Sequence, residues 1–191
     1  MNPPAFLAIY DPRRSDAATA WRQRARHRTV LVPIVDTAAL AIFVSPGTAW
    51  LPLAPTGAVI GKLFGSGSAT RVEQLPGAAL AAHSTFAERY WGDYVVIASD
   101  AGGARLATFR APSGGAHVFR TRVGEVLFLA SHLELLRDLE IVAPAIDWDF
   151  VAHHLAFSHL HARATGIAGI SEIVPGEMVI DSGAENERHI L

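Results

Sequence analysis

The chain has 191 residues, of which 50% are hydrophobic and 18% charged, with a formal net charge of -2 and no cysteine. This composition predicts one domain with a sizeable core, and it excludes disulfides, thiolate zinc sites and a cysteine nucleophile. The low net charge offers no basic surface for nucleic acid or anionic lipid, and no apolar run reaches the roughly 18 residues of a membrane span. We therefore expect a cytoplasmic protein without nucleic-acid or membrane partners.

Short apolar runs dominate the first third of the chain. They predict strands at residues 5–11, 29–35, 39–45, 48–54 and 58–64. Pro33 cannot donate a ladder hydrogen bond, so its run is assigned to an edge strand or a loop. Pro46 and Gly47 form a turn signal, which predicts that the runs on either side pair as a hairpin. Residues 16–26 have helical composition, and residues 22–28 form a basic run that is either a solvated helix face or a small anion patch.

Helical and extended patterns alternate in the rest of the chain. A helix is predicted from the spacing of Ala78, Ala81, Ala82 and Phe86, with Gly92 as its stop. Strands follow at residues 94–99, 104–109, 116–121 and 125–131, and their short turns predict an antiparallel meander.

Two capped helices and a last strand are predicted beyond the meander. Ser131 and Glu134 have the spacing of a capping box, and Asp147 is the predicted N-cap of the next helix. The last strand, residues 177–183, is expected to run outward toward the C-terminus. Strands that come in runs favour antiparallel sheets with helices, an α+β class.

Motifs of common catalytic and metal sites are incomplete in this chain. A clustered set of histidines lacks the i, i+3 or i, i+4 spacing of a helical metal site, so no metal is predicted: His153, His154, His159 and His161. Residues 65–68 are rich in glycine but lack the lysine of a phosphate loop. No Gly-x-Ser-x-Gly elbow marks a serine nucleophile.

Two sequence blocks resemble the glutaminase domain of asparagine synthetases, which are class II glutamine amidotransferases. The first block matches the family at Gly92, Asp100, Arg110, Gly114, Phe119 and residues 128–136. The second block, with Gly169, Ile170, Pro175 and Gly176, matches the family's Gly-Ile and Pro-Gly pairs. The blocks follow each other in the family's order and separation, and the resemblance runs through essentially the whole chain.

The resemblance implies the N-terminal-nucleophile fold, a four-layer αββα sandwich of two antiparallel sheets. In active members a cysteine follows the initiator methionine, and its thiolate attacks the glutamine amide. Asn2 occupies the nucleophile position here, so no catalytic residue is expected. Met1 is expected to be retained, with its side chain or that of Phe6 filling the vacated pocket beside Ile60.

The resemblance also implies a vestigial glutamine pocket. It aligns the family's pocket motifs with Ile60, Gly61, Lys62, Ser68 and Ala69. Ile60 stands where the family has an asparagine, Lys62 where it has a glutamate, and Ala69 where it has the aspartate that pairs with the substrate's amino group. Each lost hydrogen bond to a charged group costs roughly 1.5–3 kcal/mol, so glutamine is not expected to bind.

Two groups of asparagine synthetase relatives keep a silent glutaminase domain: β-lactam synthetases and the lasso-peptide macrolactam synthetases. Residues 110–114 resemble the Arg-Asp-Pro-Ser-Gly of the lasso cyclases, with Ala111 in place of the aspartate. We therefore expect residues 1–191 to be one cofactor-free domain, N-terminal to an asparagine synthetase-like domain that uses ATP and Mg. A precursor peptide and a lasso-peptide protease are the further expected partners.

Three alternatives remain open at this point. The parent enzyme could be of the β-lactam synthetase type. The chain could be a standalone module that binds another ligand in the old pocket. It could also be an active hydrolase that uses an unrecognised serine.

Overall fold

The computed structural model describes residues 5–75, 83–143, 145–157, 163–183 and 185–190. Its strands, in chain order, are β1 (Phe6–Tyr10), β2 (Val32–Asp36), β3 (Leu40–Val44), β4 (Trp50–Leu53), β5 (Thr56–Gly61), β6 (Phe64–Gly65), β7 (Tyr90–Trp91), β8 (Tyr94–Ser99), β9 (Leu106–Arg110), β10 (Phe119–Val123), β11 (Val126–Ala130), β12 (Ser171–Glu172), β13 (Glu177–Ser182) and β14 (Glu185–Ile190). The helices are α1 (Asp16–Arg28), α2 (His83–Arg89), α3 (Leu133–Asp138) and α4 (Trp148–Ala156).

Two six-stranded antiparallel sheets form the centre of the molecule. The first sheet has the order β12-β10-β11-β1-β3-β2, and the second has the order β14-β13-β9-β8-β5-β4. Strands β6 and β7 form a small separate ribbon. All five residues of β1 are buried, because a strand flanks it on each side and both of its faces are covered. This burial explains why the strand is an unbroken apolar run and not an alternating one.

Helices cover the outer face of each sheet. Ala18 and Ala25 of α1 pack with Leu7 and Ile9 on the outside of the first sheet. Phe86 of α2 packs in a cluster on the outside of the second sheet. A third apolar cluster fills the space between the sheets. The predicted α+β class and the four-layer αββα sandwich are confirmed.

The predicted hairpin around Pro46 and Gly47 is wrong. Strand β3 pairs with β1 and β2 in the first sheet, whereas β4 pairs with β5 in the second. Gly47 has a φ of +82° in a turn that leads from one sheet to the other. A turn signal between two apolar runs does not reveal whether the runs share a sheet. Pro33 does lie in an edge strand, as predicted, and the register of β2 shifts between Pro33 and Val35.

The predicted meander is interrupted in the middle. Strands β8 and β9 pair, and β10 and β11 pair, but β9 and β10 belong to different sheets. The connection between them crosses the sandwich instead of forming a hairpin. The expectation that the chain runs outward after β13 is also wrong, because β14 returns along β13 in a regular antiparallel ladder.

The helix boundaries agree with the sequence at one cap and differ at two. Asp147 caps α4 as predicted, since its Oδ1 accepts a hydrogen bond from the N–H of Phe150 at 2.9 Å. The N-cap of α3 is His132 and not Ser131. Helix α2 ends before Gly92, which lies in the turn between β7 and β8 with a φ of +127°. The predicted helical positions Ala78, Ala81 and Ala82 lie outside the described residues.

The basic side chains at the end of α1 pair with acceptors elsewhere in the same chain. Arg22 donates to the carbonyl of Thr37 at 2.6 Å, and Arg28 pairs with Glu140 at 2.8 Å. Arg26 pairs with Asp36 of β2. These contacts anchor α1 to the loops beside it and favour a structural role over an anion patch. In the part of the chain that the structure describes, no helix is long and apolar enough to cross a membrane.

Glu177 joins the C-terminal hairpin to the segment that follows α4. Its buried Oε1 accepts hydrogen bonds from Arg163 at 2.7 Å and from Arg188 at 3.1 Å, and its Oε2 accepts one from the N–H of Val174 at 3.0 Å. Burial opposes ionisation of this carboxyl, but the three donors outweigh it and hold its pKa below the ordinary 4.5.

Replacing Glu177 tests this clamp. The pKa of Glu177 is lower in the folded state than its ordinary 4.5. The carboxylate therefore stabilises the fold at pH values above 4.5, and this contribution is lost as the pH falls through the folded-state pKa. Glu177→Gln is expected to lower the free energy of unfolding at pH 7 by about 3 kcal/mol and to flatten its acid dependence. Urea unfolding at neutral and acidic pH measures both effects.

The matched control for Glu177 lies on the neighbouring strand. Glu187 is exposed on β14 and is 4.0 Å from Arg105. Glu187→Gln is therefore expected to change stability by less than about 0.5 kcal/mol. Equal losses in the two variants would contradict the clamp.

Candidate functional site

The chain enters β1 between two serine side chains. The N–H of Ala5 donates to Ser45 Oγ at 3.2 Å, and the N–H of Phe6 donates to Ser131 Oγ at 2.9 Å. Backbone bonds from Ser45 to Ala5 and from Ser131 to Phe6 complete the pairing. These bonds fix the start of β1 at one end of the sandwich. Met1 and Asn2 lie outside the described residues.

A small cavity lies at this end of β1. Its volume is about 50 Å³, and it is lined by Phe6, Ile60, Val95, Gly115, Ala116, His117, Ser131 and His132. Phe6 and Ile60 are almost fully buried and belong to the apolar cluster between the sheets. Pockets that hold small molecules begin at about 300 Å³, so the described residues leave room for water and not for an amino acid.

Of the five residues that the resemblance assigns to a glutamine pocket, Ile60 alone lines this cavity. It pairs with Val95 of β8 on one side and with Trp50 of β4 on the other. Its side chain points between the sheets, so hydrocarbon fills the place where the resemblance puts a polar amide.

Gly61 has a backbone role at the end of β5. Its φ is +117°, and a Cβ on it would lie 2.1 Å from the carbonyl oxygen of Asp93. Its N–H donates to the Ala49 carbonyl at 2.7 Å, and the N–H of Lys62 donates to the Asp93 carbonyl at 2.8 Å. The close approach of two backbones requires glycine at this position.

Lys62, Ser68 and Ala69 are exposed and do not line the cavity. Ser68 Oγ accepts a hydrogen bond from the N–H of Thr70 at 3.0 Å, in the turn that follows β6. The indole N–H of Trp91 donates to the Ser68 carbonyl at 3.3 Å. These contacts organise the loop, and neither Lys62 nor Ala69 offers a carboxylate to a substrate ammonium group.

Two histidines give the cavity a polar rim that the sequence analysis did not find. The Nδ1 of His117 lies 2.8 Å from Glu172 Oε1, and the Nδ1 of His132 lies 2.7 Å from Ser131 Oγ. No sequence signal connects His117 with Glu172, because the two residues are 55 positions apart.

The Ser131–His132 pair is the most enzyme-like arrangement at this site. Ser131 Oγ accepts the buried N–H of Phe6, so its place is set by the pairing of β1 with β11. In the part of the chain that the structure describes, His132 has no carboxylate hydrogen-bonded to its ring to orient it as a general base. The geometry therefore supports a structural role for Ser131.

The two resembling blocks meet beside this cavity. Buried Arg110 of β9 donates through Nη1 to the Ile173 carbonyl at 2.7 Å and to Glu172 at 2.6 Å. The N–H of Gly176 donates back to the Arg110 carbonyl at 3.0 Å. A Cβ on Gly114 would lie 3.3 Å from the ring of Pro175. The shared motif residues thus build the junction between the blocks.

The histidine cluster forms no metal site in the described residues. His153 contacts the Asp149 carbonyl at 2.8 Å, and His154 stacks on Phe150. His159 and His161 lie outside the described residues. No group of three or more histidines, cysteines or carboxylates is placed to hold a metal within the described ranges.

Comparisons with known proteins support the fold. The sequence matches no protein-family model and no curated protein. The chain is similar to the solved structure of the allosteric regulatory enzyme of purine biosynthesis, with a TM-score of 0.51 and 11% identity over 96% of this chain and 48% of that one. It also matches glutamine phosphoribosylpyrophosphate amidotransferase from B. subtilis complexed with ADP and GMP, with a TM-score of 0.46, 10% identity and coverage of 96% and 49%.

The similarity to the purine-biosynthesis enzyme concerns the fold alone. The chain has the stacked-sheet N-terminal-nucleophile fold of class II glutamine amidotransferases. It spans about half the length of the solved structures it matches.

Gly61 provides a test of the geometry beside Ile60. Gly61→Ala places a Cβ against the Asp93 carbonyl in a backbone conformation unfavourable to side chains, and it is expected to cost about 3 kcal/mol of stability. Gly47→Ala has a similar positive φ but nothing within 4 Å, so it is expected to cost only about 1 kcal/mol. Chemical denaturation of both variants measures the difference, and equal costs would refute the steric argument.

Proposed function

We propose that this chain is the catalytically silent, glutaminase-like domain of an asparagine synthetase-related enzyme that forms amide bonds with ATP. The observation that carries the proposal is the small volume, about 50 Å³, of the cavity at the start of β1, which Phe6 and Ile60 help to line. A working glutaminase needs room for glutamine at this end of the fold, next to its N-terminal nucleophile.

Three further features support a silent domain. No cysteine exists anywhere in the 191 residues, and Asn2 stands at the nucleophile position. A side-chain amide does not act as a nucleophile in acyl transfer. Lys62 and Ala69 carry no carboxylate for the substrate's amino group. The fold is retained while the groups that would hold and cleave glutamine are replaced.

The lasso-cyclase branch is the finer form of the proposal. It rests on the likeness of residues 110–114 to the lasso cyclases' motif, with Ala111 at their aspartate. In this chain Ala111 is buried, and its N–H donates to the Tyr94 carbonyl at 3.0 Å. Ser113 Oγ donates to the Gly92 carbonyl at 2.8 Å. The motif forms a turn that braces β8 and β9, which fits a scaffold role.

We assign ATP and Mg to the proposed synthetase domain. The glycines that follow Ser113 could suggest a phosphate loop. However, a Cβ on Gly115 would lie 2.4 Å from a carboxylate oxygen of Asp93, and a carboxylate this close repels phosphate. The proposed partners are the synthetase domain, a precursor peptide and a lasso-peptide protease.

The alternatives are separated by chemistry. A precursor-peptide gene beside the coding sequence would favour a lasso cyclase over a β-lactam synthetase. A standalone module that binds a ligand in the old pocket would need more space than about 50 Å³. Stabilisation of the isolated chain by one small ligand in a thermal-shift screen would favour that module.

The decisive experiment starts with the coding sequence downstream of residue 191. An in-frame or adjacent Ser-Gly-Gly-x-Asp-Ser loop is expected, because that loop binds ATP in the synthetase domain of the resembling family. The assembled protein should then form AMP and pyrophosphate in the presence of its peptide substrate. If no synthetase sequence is encoded in or beside the gene, the proposal is wrong.

Restoring the nucleophile alone is expected to leave the domain inactive. Asn2→Cys, with removal of Met1 verified by mass spectrometry, should release no glutamate from glutamine above the wild-type background, because Ile60 still occupies the pocket and Lys62 and Ala69 still lack carboxylates.

A second variant makes the result interpretable. It combines Asn2→Cys with Ile60→Asn, Lys62→Glu and Ala69→Asp, and both proteins are compared by coupled glutamate detection and by thermal melting. Glutamine hydrolysis by the single variant would show that the pocket survives. Hydrolysis by the combined variant alone would assign the loss to these three positions.

A further inference from the structure

An apolar face on α4 has no partner in the described residues. No residue of this helix is buried. Its large apolar side chains are therefore exposed, Trp148 to 69% and Leu155 to 79%. Helical spacing places Trp148, Val151 and Leu155 on one side, and Ile146, 57% exposed, precedes them. We call these four residues the α4 face. Large apolar side chains concentrated on one exposed helix mark an interaction surface.

The side of α4 opposite to Trp148 and Leu155 packs against the loop that follows the helix. Phe150 lies against Gly166, where an added Cβ would be 3.7 Å from the aromatic ring. The N–H of Asp147 donates to the Gly166 carbonyl at 3.1 Å, and the backbone of Ile146 forms a bridge with that of Ile167 while its side chain stays exposed. These contacts fix the helix to the loop that begins at residue 163, so its orientation is set by the domain itself.

The same loop lies close to the end of β14. Arg163, at the start of this loop, donates to Glu177 at 2.7 Å. Glu177 is paired across the ladder with Ile190, at the end of β14. Any polypeptide that continues beyond β14 therefore emerges next to the loop that carries α4.

We propose that the α4 face is the docking surface for the synthetase domain that follows this domain in the parent enzyme. The inference rests on the proposed function. The proposed occupant is a folded domain with an apolar patch, because a domain connected to the end of β14 would lie beside α4. The matched purine-biosynthesis enzyme has about half of its chain outside the region of similarity, so this fold occurs there with a large further segment.

The test uses the parent enzyme, or this chain together with a separately encoded synthetase polypeptide. Trp148→Glu with Leu155→Glu places charge in the α4 face. Both side chains are largely exposed, so the melting temperature of the 191-residue chain should not change. Val30→Glu is the matched control, because Val30 is 81% exposed on the connection between α1 and β2.

The expected result is a loss of domain association with retention of the fold. The double variant should weaken binding of the two polypeptides at least tenfold or, in a fused enzyme, lower ATP-dependent AMP formation at least tenfold and expose the domain junction to limited proteolysis. The Val30 variant should stay within twofold of wild type. Protection of residues 146–155 from hydrogen exchange in the assembled enzyme provides an independent readout.

The two proposals fail in different ways. If the gene and its neighbours encode no synthetase domain, the proposed function falls and the occupant with it. If a synthetase domain is present and active but the double variant behaves like the control, only the docking inference is wrong. A wild-type chain that is dimeric in sedimentation, and monomeric after Leu155→Glu, would assign the α4 face to a second copy and overturn the inference.

Discussion

The buried guanidinium of Arg110 links the two sheets at one side of the sandwich. From β9 in the second sheet it reaches Glu172 of β12 in the first sheet, the carbonyl of Ile173 and the carbonyl of Gly114. These bonds hold the guanidinium through Nη1 and Nη2, whereas its buried Nε has no partner among the described residues, and removing a partner of a buried charge is strongly destabilising. The loop after β9 and the segment after β12 must therefore be placed together, and the cavity at the start of β1 is bounded by the same loop.

The contacts of Arg110 explain why a resemblance in sequence predicts the fold better than the activity. Gly114 has a positive φ and lies close to the ring of Pro175, and the N–H of Gly176 donates to the Arg110 carbonyl. These positions carry turns and backbone contacts, so changing them changes the fold. Lys62 and Ala69 have exposed side chains. Their residues can be replaced without disturbing the sandwich, and the fold can therefore outlast the chemistry.

The sequence predicts the elements of this protein well and their partners poorly. Apolar runs identify β1, β3 and β11, because a strand covered on both faces needs hydrocarbon at every position. Neither Gly47 nor the loop after Arg110 reveals that the chain crosses between the sheets there, since a turn residue fixes a local angle and not a pairing partner. Ser131 has a helix-cap pattern, yet its hydroxyl is used by Phe6, 125 positions away. The missing cysteine is visible in the sequence, whereas the size of the cavity depends on packing between distant strands.

The interior between the sheets also explains the residue at position 60. Toward β10 and β13 the interior is ionic, with Arg120 and Arg122 of one sheet paired to buried Asp181 of the other. Toward β1 and β5 it is apolar, and Ile60 continues that apolar core to the edge of the cavity. An asparagine at position 60 would need a bound substrate or water to satisfy its amide, and an unsatisfied buried amide costs about 1–3 kcal/mol. Full burial of isoleucine contributes about 1.5–3 kcal/mol, so isoleucine at position 60 stabilises the fold where a buried asparagine would need a polar partner.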